Sequence, residues 1–274
     1  RRQDRLHRQR REGVVGLQGA SRLQGSTAYA CCGGYAPRML LLLLACAYHV
    51  PEPPPPPPGP LPVPTGTVGV CRVTFAAGTL PHGLVVAHGK LKEDAVSTAS
   101  GLLLEHGDQR WLVDGGIAVD LAEHLKEVPG FVGFAMRSSA KDWARAAAPV
   151  DALRAIGVEP SSITGMLATH AHYDHLGGLL DIPGPPLWLP GPELAMARAV
   201  ADGGKGPVVP AEAKGAVGRA KELVYDGPPL GPWGATKDLF GDGSVQLFPM
   251  PGHTPGSMGA YLHLPNGKRV LAVG

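Results

Sequence analysis

Residues 162–178 read "SITGMLATHAHYDHLGG": a short apolar run that ends in three histidines and one aspartate within the six positions from His170 to His175. The whole chain has only 11 histidines, so this density needs a reason. A hydrophobic core has no use for it, and a solvated loop does not require it. Neutral imidazole and carboxylate are good ligands for zinc and its neighbours. On a regular helix His170 would share a face with Asp174, and His172 with His175, and the two pairs would not meet. The apolar strand before the cluster and Gly177-Gly178 after it therefore predict a loop at a strand end, where adjacent side chains can aim at different points.

Such a site needs a further ligand from elsewhere in the chain. "MPGHTPGS", residues 250–257, offers His253 in a Gly/Pro-rich bend that again follows a predicted strand. The remaining histidines (His7, His49, His82, His88, His106, His124 and His263) have no partner at ligand spacing and read as surface or hydrogen-bonded residues.

The body around these motifs mixes strands and helices, which makes the class α/β or α+β. "TVGVCRVTF" and "GLVVAH" read as strands, and "GLLLEHGDQRWLVDGG" as two strands around a turn at 106–108. "AVDLAEHLKEV" and "SAKDWARAAAPVDALRAIG" read as helices, the second interrupted near Pro149. "PLWLP" reads as a strand, and residues 192–202 and 210–223 as helical. The last 18 residues read as a hairpin turning at Asn266-Gly267.

His170-x-His172-x-Asp174-His175, together with Pro251-Gly252-His253-Thr254-Pro255-Gly256, resembles the metallo-β-lactamase fold superfamily. "WLVDGG", with Asp114, resembles that family's early strand ending in Asp-Gly. The resemblance runs in the expected order over roughly residues 68–274 and is nearest the lactonase and glyoxalase II branch. It implies an αββα sandwich with two divalent metal ions, zinc first, at the sheet edge. His170, His172 and His253 would bind the first ion, and Asp174 and His175 the second. Asp114 would orient a ligand by a hydrogen bond, and Thr169 would shape the loop. Tyr173 has no assigned role beyond packing. The implied activity is hydrolysis of an acyl bond (lactone, thioester or β-lactam in a small-molecule substrate) by metal-activated water, with Asp174 as the catalytic proton carrier.

One departure matters. The family carries an Asp that bridges the two metals after the hairpin's second strand, and a final His further on. This chain ends at Gly274, so the domain over 65–274 is expected to be incomplete at the C-terminus, with a second metal site of two ligands. The alternative to an enzyme is then a truncated, non-catalytic metal-binding lipoprotein.

Charge and flanking segments complete the picture. Eight of the 25 Lys+Arg and two of the 23 Asp+Glu lie in residues 1–38, leaving 17 basic against 21 acidic side chains in the rest. A mildly acidic body argues against nucleic acid as a partner. Residues 1–38 read as a disordered basic segment. The apolar run in 39–50 is too short to span a bilayer but has the length of a signal-peptide core, and Leu43-Leu44-Ala45-Cys46 resembles a lipobox. Two readings stand: an exported protein, periplasmic or attached to a membrane through a lipidated Cys46, or a cytoplasmic chain with a short apolar patch. Residues 51–64 form a Pro-rich tether. Cys71, alone in the body, can form no disulfide within it and is expected to be a small buried residue.

Overall fold

The computed structural model describes residues 63–274, apart from 86–87, 91, 141–142 and 146–147. The basic segment, the apolar run with Cys46, and the tether as far as residue 62 lie outside the described residues. Among the described residues no helix is long and apolar enough to cross a membrane.

The strands are β1 (Gly69–Pro81), β2 (Asp94–His106), β3 (Gln109–Val113), β4 (Ala144–Arg145), β5 (Gly165–Leu167), β6 (Leu187–Pro190), β7 (Ala220–Leu223), β8 (Lys237–Asp238), β9 (Val245–Pro249), β10 (Met258–His263) and β11 (Arg269–Val273). The helices are α1 (His82–Val85), α2 (Leu121–His124), α3 (Gly130–Ala140), α4 (Pro149–Ala155), α5 (Tyr173–Leu180), α6 (Gly191–Ala201) and α7 (Pro210–Arg219).

Two sheets result. The larger has seven strands in the order β4-β1-β2-β3-β5-β6-β7, and the smaller has four, β11-β10-β9-β8. β1, β2 and β3 form an antiparallel meander, whereas β3, β5, β6 and β7 run parallel. Parallel neighbours need a crossover connection: α5 supplies it between β5 and β6, and α6 with α7 between β6 and β7.

Alternation along the strands sorts the core into two faces. Leu103, Leu112 and Met166 point to one side, where they pack with Leu153, Leu176, Leu179, Leu194 and Ala213 from α4 to α7. Their chain neighbours Leu104, Val113 and Leu167 point to the other, where they meet Val245, Leu247, Met258, Ala260 and Leu262 of the smaller sheet. Helices, larger sheet and smaller sheet thus form successive layers of the expected αββα sandwich.

This arrangement brings strand ends together. Asp114 follows β3, the histidine cluster follows β5, and Glu193 stands two residues beyond the start of α6, which follows β6. Because those strands are adjacent and parallel, all three segments emerge at one edge, the edge at which open α/β sheets hold ligands. In the smaller sheet, β9 and β11 both run antiparallel to β10. His253 lies beyond the end of β9.

Several local expectations fail. "GLVVAH" begins with the helical turn α1 rather than a strand. The helix read over 139–157 breaks at Pro149, which opens α4, as expected, but its first half is not helical throughout: α3 ends at Ala140, and β4 pairs Ala144 and Arg145 with Ala77 and Ala76 of β1. The Ala-rich sequence favours a helix locally, but the free edge of β1 takes the segment as a strand. Residues 220–223 leave the helix for the same reason and pair with β6. Cys71 is exposed, not buried. It sits near the start of β1, opposite Leu103 and on the same face as Val73, yet its side chain stays exposed.

Candidate metal centre

The loop after β5 is shorter than the sequence suggests. Residues 168–172 form it, His172 caps α5, and Asp174 and His175 already lie in the first helical turn. Gly177 and Gly178 are helical too, and close approach explains them better than loop flexibility. A Cβ at Gly178 would sit 2.0 Å from the carbonyl oxygen of Gly115, and one at Gly115 would sit 2.5 Å from the Leu179 nitrogen. Glycine on both sides lets α5 lie directly on the 114–116 turn.

The structure brings His170, His172 and His253 together, with one ring nitrogen from each within 4.8 Å of the others. His172 Nδ1 lies 3.1 Å from His170 Nε2 and 3.0 Å from His253 Nε2. The three rings stand nearly perpendicular, at 76°, 81° and 89° to one another. His170 is 1% exposed, His172 is half-buried and His253 faces solvent.

A tautomer follows from the hydrogen bonds. Thr169 Oγ1 donates to Asp114 Oδ2 at 2.9 Å, so it has a lone pair for His170 Nδ1–H at 3.1 Å. His170 Nε2 is then a bare lone pair aimed at the two other imidazoles. Burial, and then the neighbouring histidines His175, His172 and His253, push the His170 pKa down to about 2. Burial, followed by His253, likewise holds His172 at about 4. Both rings are neutral at ordinary pH, the form that binds a metal.

Hydrogen bonding through a single ring proton can pair only two of the three converging ring nitrogens, whereas a divalent cation can take a lone pair from each. Tetrahedral zinc with N-ligands at about 2.0–2.1 Å would separate the nitrogens by about 3.3 Å, close to the spacing seen. The donor set therefore fits such an ion.

Asp174 and His175 form a second, adjoining pair, with His175 Nε2 3.6 Å from Asp174 Oδ2. His175 Nδ1 donates to Asp114 Oδ2 at 2.8 Å, which turns Nε2 toward Asp174. Burial opposes charge on this ring, but Asp114, by its charge and hydrogen bond, and then Asp174 outweigh it and lift the pKa to about 9. Asp114 also accepts the Thr169 N–H at 2.7 Å. To do this it adopts φ +61°, a left-handed conformation that Asp tolerates better than most residues. Tyr173 points away, into the cluster of Ile117, Leu121, Leu125 and Trp143. Burial, then Asp174, raise it to about 12.

Two further histidines are paired away from this cluster. His106 stacks on Phe240 and meets Asp242 at 2.8 Å, and His124 faces Glu212 at 3.4 Å. Glu193, fully buried, contacts both ligand loops. Sequence reasoning misses it, because an acid in the first turn of a helix is an ordinary response to the helix dipole.

The sequence model of the metallo-beta-lactamase superfamily matches residues 94–274. The chain belongs to that superfamily. Solved structures repeat the fold. A variant of B. thuringiensis AiiA with N-decanoyl-L-homoserine bound at its active site is 19% identical, with 75% of each chain covered and a TM-score of 0.56. An N-acyl homoserine lactone hydrolase with N-hexanoyl-L-homoserine at its catalytic metal centre is 20% identical, again with 75% of each chain covered and a TM-score of 0.56. AidC, a dizinc quorum-quenching lactonase, is 15% identical over 76% of this chain and 71% of its own, with a TM-score of 0.50. No curated protein matches the chain in sequence.

Proposed function

We propose that this protein is a metal-dependent hydrolase of acyl bonds in small molecules, with lactones the first substrates to test. The observation that carries the reading is the convergence of His170, His172 and His253 nitrogens on one point beside the Asp174–His175 pair. The homoserine products bound in the similar lactonases favour lactones over thioesters and β-lactams.

His170, His172 and His253 would hold one divalent ion, and Asp174 with His175 would contribute to a second; zinc suits the donor set. Ions there supply Lewis acidity, which makes water nucleophilic near neutral pH and polarises a carbonyl oxygen. The chain's own residues do the rest. Asp114 and Thr169 accept from Nδ1 of His175 and His170, so that ligation falls to their Nε2 atoms; His175 would give up its Nε2 proton on binding an ion. Asp174 takes the proton of the attacking water and returns it to the leaving oxygen. In a lactone, water oxygen bonds to the carbonyl carbon, the ring C–O bond breaks, and the released oxygen takes that proton to give a hydroxy acid. The exposed side of His253 leaves the site open for substrate.

The test is metal content together with turnover of a chromogenic lactone, a thioester and a cephalosporin by the full chain. Lactone hydrolysis that a chelator abolishes and zinc restores supports the proposal. A folded, metal-loaded protein that turns over none of them supports a non-catalytic metal-binding protein instead.

A further inference from the structure

Glu193 is 0% exposed, and a buried carboxyl group is costly unless its oxygens are hydrogen-bonded. Neither oxygen turns back to its own helix α6. Oε2 accepts the N–H of Ala171 at 2.8 Å, and Oε1 accepts the N–H of Gly256 at 2.7 Å. Ala171 stands between the ligands His170 and His172. Gly256 stands three residues after His253. One carboxyl group therefore ties together the two loops that carry the histidine trio, one from each sheet.

A second observation supports the tether. A Cβ built on Gly256 would lie 2.8 Å from both Cγ and the backbone nitrogen of Glu193. The His253 loop is thus pressed onto the start of α6, and only glycine allows the approach. On the far side of His170, Asp114 grips Thr169. The loop is pinned at 169 by one buried acid and at 171 by another, and only the second also reaches the His253 loop.

We propose that Glu193 is a positioning residue that sets the spacing of His253 from His170 and His172, and so the affinity of the centre for its first metal ion. The inference rests on the metal-site reading given above. Both donors are backbone N–H groups, so the geometry needs two acceptor oxygens at glutamate's reach. Gln keeps one acceptor and sets an NH₂ against the other N–H. Asp falls short by one C–C bond, about 1.5 Å.

The experiment compares the full-length wild type with Glu193→Gln. Zinc affinity is measured by chelator competition, and hydrogen exchange of the peptides containing Ala171 and Gly256 is followed in metal-free protein. In the variant, zinc binding is expected to weaken about tenfold or more, with faster exchange at one or both loops and unchanged exchange in the β10–β11 hairpin. Leu153→Ala, a core truncation in the helical layer, is expected to lower stability without this loss of affinity, which separates positioning from general destabilisation. Should Glu193→Gln fail to fold, Gly256→Ala displaces the same contact with the carboxyl group intact and is expected to weaken zinc binding likewise. Wild-type zinc affinity in whichever variant folds overturns the proposal, whether or not protection at the loops changes. If the wild type itself binds no zinc, the metal reading fails, and the exchange data alone decide whether Glu193 holds the loops.

Discussion

Asp114 Oδ2 accepts a hydrogen bond from His175 Nδ1 at 2.8 Å across 61 residues of sequence. The pair makes metal-free stability depend on pH with a definite sign. The folded pKa of His175, about 9, lies above its ordinary value near 6.5. Its stabilisation is therefore complete below pH 6.5 and fades as pH rises through 9. In metal-free protein, Asp114→Asn is expected to cost on the order of 3 kcal/mol at pH 6, and clearly less above pH 9.5. Urea unfolding at the two pH values checks this; an equal cost at both would mean that charge on His175 plays no part.

His170 and His172 act in the opposite window. Their folded pKa values, about 2 and about 4, lie below the unfolded value, so the unfolded chain binds protons that the native one refuses. Metal-free protein should lose stability as pH falls from about 6.5 toward 4, at up to about 1.4 kcal/mol per pH unit for each histidine. His172→Gln should halve that slope. Acid unfolding curves with an unaltered slope would contradict the burial argument.

Gly178→Ala places a Cβ against the Gly115 carbonyl at 2.0 Å. Backbone cannot yield cheaply, so a loss of about 2–3 kcal/mol is expected. Chemical denaturation measures it; a change under about 0.5 kcal/mol would show that α5 is not docked as described.

Cys71 is exposed on β1. The peptide containing it should be alkylated in the folded protein without denaturant, as mass spectrometry would reveal. Labelling only after unfolding would return Cys71 to the core.

The sequence made some of this legible and hid the rest for physical reasons. The hairpin at Asn266-Gly267 forms as read, with Gly267 at φ +74°, because turn chemistry is local. The β3 strand into Asp114 and the apolar strand into His170 were readable because burial on both faces leaves a continuous apolar run. The strand at Ala144 and Arg145 was not, since its fate is decided by the open edge of β1 rather than by its own propensity. The same holds for 220–223 at the edge of β6. In the site, dense imidazole spacing announces itself. Glu193 does not, because its partners are backbone N–H groups at residues 171 and 256, which leave no mark on the sequence.

The central claim is that His170, His172 and His253 together hold a divalent ion. Equilibrium dialysis of the full chain against zinc at neutral pH, beside His172→Ala, tests it most directly. The account predicts that the wild type retains at least one tightly bound ion and that His172→Ala, still folded, loses it. Equal zinc content in the two proteins would contradict the ligand assignment.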